Sequence, residues 1–125
     1  MKKKTNYATG HFAEKIAFWF LRLKGYRFVA KNFTVKRGTG AGEIDLIMTK
    51  GKTIIFFEVK KRRTYGAAAE AITIQNQMRV VKSSAVFLQK NPQYASFQMR
   101  YDAILFSEFH FLPRHIKNAW RKKFI

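Results

Sequence analysis

Cysteine is absent from the 125 residues, which excludes disulfides and thiolate zinc centres and suits a reducing cytoplasm. Proline occurs twice and glycine seven times, and no linker, internal repeat or low-complexity tract divides the chain. No long apolar run exists either. The longest, residues 16–21, ends at Arg22 and is far too short to cross a bilayer or to serve as a secretory signal. Acidic side chains are the scarcest charged group, seven against twenty-five Lys and Arg, for a formal charge of +18. A surface this basic attracts polyanions, and neutralised phosphates release condensed counterions, so nucleic acid is the expected partner and an anionic membrane surface its rival. What is plentiful is core material: 47% of residues are hydrophobic, with thirteen Phe among them, enough for one domain over residues 1–125 behind a flexible basic tail, 1–8.

Residues 9–24 read as a helix in which Phe12, Ile16, Phe20 and Leu23 recur at helical spacing, with Gly25 as its stop. Two short strand-like runs follow, 26–29 and 32–36, and then a glycine-rich loop, 38–42. That loop is no nucleotide-binding P-loop, because no Gly-Lys-Ser/Thr follows. Residues 43–48 and 53–60 predict a β-hairpin, 66–89 one long helix, 98–106 a strand. Pro113 is placed to open a last helix with Ile116, Ala119 and Trp120 on one face. This order predicts an α/β domain with a mixed central sheet flanked by helices.

Three of the seven acids, Glu43, Asp45 and Glu58, fall in the two hairpin strands, which are otherwise apolar. A carboxylate in such a strand is costly to bury without a partner, and a divalent cation is a common one. A turn centred on Lys50-Gly51 pairs Met48 with Thr53 and Asp45 with Phe56 and sets Glu43 opposite Glu58. Alternation then gathers Glu43, Asp45, Glu58 and Lys60 on one face, and Ile44, Leu46, Met48, Ile55, Phe57 and Val59 on a purely apolar other. Carboxylates this close repel unless a cation such as Mg²⁺ converts repulsion into coordination, and Lys60 is positioned to orient a water or to neutralise a developing charge. Glu-x-Lys alone is most often an ordinary solvated ion pair. Asp45, twelve intervening residues and then Glu58-Val59-Lys60 inside an apolar hairpin is far more specific. Glu14 joins this set as a candidate, because Gly10, His11, Ala17 and Phe18 occupy its helical neighbour positions and offer it no Lys or Arg.

Together these residues resemble the restriction-endonuclease-like, or PD-(D/E)xK, superfamily. More closely, Gly42-Glu43-Ile44-Asp45-Leu46-Ile47, Phe57-Glu58-Val59-Lys60-Lys61-Arg62, Glu70-Ala71-Ile72 and Tyr101-Asp102-Ala103 are similar to the YraN-like family. These are small bacterial proteins regarded as nucleases and similar to archaeal Holliday-junction resolvases. The resemblance implies a restriction-endonuclease-like fold and a metal-dependent endonuclease, a hydrolase of phosphodiester bonds. Asp45 and Glu58 would be ligands to Mg²⁺ or Mn²⁺ with Glu43 as a further candidate, Lys60 the catalytic lysine and Glu14 the helix acid. The likeness departs at Gln75-Asn76-Gln77, where such proteins usually carry a Lys near the start of the long helix.

Lys36, Arg37, Lys61, Arg62 and Arg63 are the expected contacts to the phosphate backbone. The expected partner is DNA in preference to RNA, with branched structures favoured by the resemblance and a homodimer as the candidate assembly. Glu70 is read as stabilising the N-terminal turn of its helix, Asp102 as a structural ion-pair partner, and His11, His110 and His115 as surface or packing residues without zinc spacing. The competing expectation is a non-catalytic nucleic-acid-binding protein whose carboxylates are vestigial.

Overall fold

The computed structural model describes residues 2–35 and 41–121. It is an α/β fold: a five-stranded mixed sheet in the order β1-β2-β3-β4-β5, flanked by helices, consistent with a restriction-endonuclease-like arrangement. The elements are α1 (Lys2–Leu23), β1 (Arg27–Phe33), β2 (Ile44–Lys50), β3 (Thr53–Arg62), α2 (Tyr65–Glu70), α3 (Ile74–Lys90), β4 (Gln98–Ser107) and β5 (Arg114–Trp120). Only β3 and β4 run parallel, joined by the α2–α3 crossover; the other neighbouring pairs are antiparallel. Strand β3 is covered on both faces, which is why residues 54–57 read as a continuous apolar run rather than an alternating one.

Helix α1 covers one face, where Ala13, Ala17 and Leu21 meet Leu46, Met48, Ile55, Phe57 and Val59. Small alanines bring the helix close to the sheet. The stripe expected from size, Phe12 and Leu23 included, is instead largely exposed at those two positions. Gly25 ends the helix at φ +93°, and the Tyr26 N–H bonds the Leu21 carbonyl. Helices α2 and α3, with the turn between them, cover the other face, packing Ala68, Ile72, Val80 and Phe87 against Ile47, Ile54, Phe56 and Tyr101. The acid-bearing face of the hairpin is therefore core along most of its length and polar only at its end.

The structure changes several expected elements. The single helix over 66–89 is two, because the Thr73 hydroxyl accepts the Asn76 N–H and caps a new start after α2 closes at Ala71. Glu70 thus ends α2 rather than opening a helix. The two expected runs, 26–29 and 32–36, meet in one strand that ends at Phe33, with a bulge between Phe28 and Ala30; position 36 lies outside the described residues. The hairpin turn lies one step later than expected, with Lys50 opposite Thr53, Met48 opposite Ile55 and Leu46 opposite Phe57. Gly51, at φ +60°, supplies the first central position of this two-residue turn. The shift is two residues in pairing, so the side-chain faces survive it.

The last helix expected after Pro113 is a strand. β5 is fastened to β4 by Asp102, which is fully buried. Arg100 donates to both Asp102 oxygens at 2.8 Å, His115 Nε2 lies 2.8 Å from Oδ2, and the Asn118 N–H donates to Oδ1 at 2.9 Å. Asn118 takes φ +57° to present that N–H, a conformation Asn tolerates. Trp120 stacks on Tyr101 with centroids 5.6 Å apart. His115 is therefore a buried partner of Asp102, and Asp102 is the structural ion-pair residue expected.

Burial pushes the Asp102 carboxyl up, but the bonds from His115, Arg100 and Asn118 outweigh it and hold it below the usual carboxylate range. A depressed carboxyl contributes stability at neutral pH that is lost as pH falls from the unfolded carboxylate range through the folded value. Asp102→Ala leaves Arg100 and His115 without their buried anion and is expected to cost about 3–5 kcal/mol in urea unfolding. It should also flatten the acid limb of the stability curve. Unchanged midpoints at pH 7 would refute this anchoring role.

Candidate active site

The α3-side face of the hairpin ends in a cleft of about 890 Å³ that collects side chains from α1, β2, β3, α3 and the turn after β4. Its centre is the place where β2 leaves β3. The last ladder pair is Leu46 with Phe57. Beyond it the Val59 N–H donates to Asp45 Oδ2 at 2.7 Å instead of to a strand carbonyl. Freed from the ladder, β2 turns so that Ile44 joins Ile47 in the core under α3 rather than sharing a face with Leu46 and Met48, as alternation predicts.

Glycine at position 42 makes the approach to α3. Its N–H bonds the Arg79 carbonyl, its carbonyl accepts from the Ser83 hydroxyl, and a Cβ there would stand 3.1 Å from the Arg79 Cβ. This contact draws residues 42–45 against α3 and brings Arg79 and Asn76 into the cleft.

Asp45 and Glu58, only 8% and 7% exposed, both line the cleft. Burial, then repulsion from Glu58, raises the Asp45 carboxyl well above the ordinary value, against the opposing Val59 hydrogen bond; Glu14 and Glu43 add to the rise. Glu58 is also raised, by burial first and by Glu43 and Glu14, although the Lys60 charge and hydrogen bond pull it down. Lys60 Nζ lies 3.3 Å from Glu58 Oε2. The four acids named from the sequence thus share one field, with Glu43 exposed at the rim. Glu14 is partly satisfied: the Asn32 amide donates to Oε1 at 3.0 Å, and His11 Nδ1 lies 3.8 Å away. Asn32 reaches it from φ +49°.

Among the described residues, no three His, Cys, Asp or Glu side chains converge into a ready metal-holding group. The inner donor set is the buried pair, Asp45 and Glu58. Two hard carboxylates side by side suit Mg²⁺ or Mn²⁺, which keep several waters and take one or two protein carboxylates.

Lys61, Arg62 and Arg63 continue from Lys60 along the cleft wall, all exposed. The Arg63 carbonyl accepts from the Ser107 hydroxyl and the Glu108 N–H, so the basic end of β3 is tied to β4. Lys36 and Arg37 lie outside the described residues. Sequence patterns missed Arg79, Asn76 and Glu108 as cleft residues. The cation that α3 brings to the cleft is Arg79, one turn beyond Asn76. Reading Thr73 as an N-cap would have helped to locate it.

A group whose folded pKa is raised gives stability that is complete below its unfolded pKa and lost as pH rises through the folded value. Near neutral pH, Asp45 therefore opposes folding. Asp45→Asn keeps an acceptor for the Val59 N–H and removes the charge, so it should raise the Tm in chelator by roughly 2–5 °C. A divalent cation should raise the Tm of the unsubstituted protein more than that of the variant. A Tm lowered by Asp45→Asn in chelator would contradict the electrostatic reading.

The uncharacterised protein family UPF0102 matches residues 13–106, a span that holds Glu14, Asp45, Glu58 and Lys60. A UPF0102 protein of Paramagnetospirillum magneticum is 43% identical over 112 residues, covering 90% of this chain and 86% of its own length. Those of Parvibaculum lavamentivorans and Methylorubrum extorquens are 40% and 38% identical, covering 92% and 95% of this chain and 83% and 89% of their own lengths. Matches of this extent support the YraN-like resemblance, and the chain belongs to the UPF0102 family.

Proposed function

We propose that this protein is a metal-dependent nuclease that hydrolyses phosphodiester bonds of DNA, with branched structures as the substrate class favoured by the resemblance. The observation that carries the proposal is the buried pair Asp45 and Glu58 with Lys60 Nζ 3.3 Å from Glu58, at the head of a cleft walled by Arg62, Arg63 and Arg79. Acids with raised pKa values at the floor of a cleft lined by cations are an unfavourable arrangement for stability alone.

Asp45 and Glu58 would hold Mg²⁺ or Mn²⁺, which when bound supplies an acidified water and charge neutralisation at phosphorus. Lys61, Arg62, Arg63 and Arg79 bind the phosphates flanking the scissile bond and fix its position. Lys60, held by Glu58, presents its ammonium to the oxyanion that develops at phosphorus. Glu14 and Glu43 add negative potential that strengthens cation binding at the pair. A charge of +18 and a cysteine-free composition fit a nucleic-acid partner in the cytoplasm.

The second reading, a nucleic-acid-binding protein with a vestigial site, is favoured by one observation: no third described acid joins the inner pair. Labelled linear, flapped and four-way DNA incubated with Mg²⁺, Mn²⁺ or chelator separates the two. Metal-dependent cutting is expected, reduced about 10²–10³-fold by Lys60→Ala and at least as far by Glu58→Ala, with DNA binding largely kept. Neutralising Lys61, Arg62 or Arg63 should weaken binding to all sequences and lower the salt slope by about one per lost phosphate contact. Binding without cutting on every substrate and metal would favour the second reading.

A further inference from the structure

A second groove, of about 510 Å³, opens between α1 and β1 and meets the catalytic cleft at its carboxylates, since Glu14 and Asp45 line both. Its composition differs from that of the basic cleft. Trp19 and Phe28 form its apolar walls, and Lys15 and Lys31 stand beside them. Trp19 is 61% and Phe28 44% exposed. Phe18 meets both rings near right angles, at 4.9 Å and 5.4 Å between centroids, so the two are braced by one neighbour. Among the described residues, neither Trp19 nor Phe28 belongs to a face-to-face ring pair.

We infer that this groove binds an unpaired strand of DNA, with bases stacking on Trp19 and Phe28 and the backbone held by Lys15 and Lys31. Single exposed aromatics are common and need no function. Two of them braced together, interleaved with lysines and opening onto paired carboxylates, match the combination that single-strand sites use: ring faces for bases and cations for phosphates. Charge decides against a second copy of the chain as the occupant. Two molecules of charge +18 would bring Lys15 and Lys31 against their own equivalents, whereas a polyanion is attracted to the same surface.

The inference deepens the nuclease reading and rests on its placement of nucleic acid in the cleft. Duplex held along Lys61, Arg62 and Arg63 would reach the carboxylates and release a single strand into the aromatic groove. The substrate class is then duplex with an unpaired arm: a flap, a splayed end or an opened junction.

Binding in chelator tests this without requiring catalysis. Fluorescein-labelled oligothymidylate and a blunt duplex of equal length are titrated with the full chain, following anisotropy and tryptophan emission. The other tryptophan, Trp120, is buried, so quenching by oligothymidylate reports on Trp19. Trp19→Ala should weaken oligothymidylate binding roughly 5- to 100-fold, as expected for loss of one stacked base, and change duplex binding by less than about twofold. Trp19→Phe should retain most of the affinity, Phe28→Ala should act in the same direction as Trp19→Ala, and Lys31→Gln should lower the salt slope by about one.

Equal losses on both ligands, or oligothymidylate binding without quenching, would overturn the assignment. So would sedimentation showing a dimer that Trp19→Ala dissociates, because the face would then join two copies. Trp19-dependent single-strand binding with no cleavage would uphold this groove and sink the nuclease reading. Metal-dependent cleavage with Trp19→Ala indistinguishable from the parent on oligothymidylate would do the reverse.

Discussion

Where β2 separates from β3, the Val59 N–H would face an open ladder, and the Asp45 carboxylate takes the place of the missing strand carbonyl. That single hydrogen bond sets an acid from one strand beside Glu58 on the next and holds it there against desolvation and repulsion, both of which oppose its charge. Everything proposed for the site depends on it. If β2 continued in register, the ladder would close and the cleft would lose its floor. Glycine at position 42 works with this bond from the other side by letting the chain run against α3, so that the gap opens toward Arg79 rather than into solvent.

The rest of the fold serves to keep this gap rigid. The strands carrying the acids are buried on both faces, with Ala13, Ala17 and Leu21 of α1 on one side and Ala68, Ile72 and Val80 on the other. A close-packed interior resists the small shifts that would relieve carboxylate repulsion. At the far edge, Asp102 gathers Arg100, His115 and the Asn118 N–H into a fully paired buried charge, which fixes β5 and completes the sheet. The two buried acid sites differ in sign for a clear reason. Asp102 has donors enough to lower its pKa below the ordinary range, while Asp45 has one backbone donor and three acidic neighbours and is pushed above it. The satisfied acid is structural. The frustrated one lines the cleft, where a raised carboxyl marks a candidate functional site.

The central features were legible in the residues themselves. Continuous apolar runs in β2 and β3 announced buried strands, and the rarity of acids made Asp45 and Glu58 conspicuous within them. The faces expected within the ladder survived a misplaced turn, because the shift was an even number of residues, but Asp45 lies beyond the last pair and meets Glu58 in the cleft through its bond with the Val59 N–H. Glu14, named from its lack of a Lys or Arg at helical neighbour positions, does lie on the same cleft. The stripe assigned to α1 held at Ile16 and Phe20, which pack against the core, and failed at Phe12 and Leu23, where size was read as burial. Alanine spacing, which permits close approach, selected the buried face instead.

Composition and local periodicity thus determined the class of fold, the buried hairpin and the identity of the scarce acids within it, since these depend on neighbours within a few residues. Tertiary structure alone decided what residues 114–120 would become. A short run with Ile116, Ala119 and Trp120 satisfies a helical period as well as a strand, and the open edge of β4 with Asp102 waiting on it made the choice. It also decided that Arg79 would line the same cleft as the carboxylates and that Trp19 and Phe28 would share a wall. Those placements join points far apart along the chain, and only the closure of the sheet under its helices brings them together.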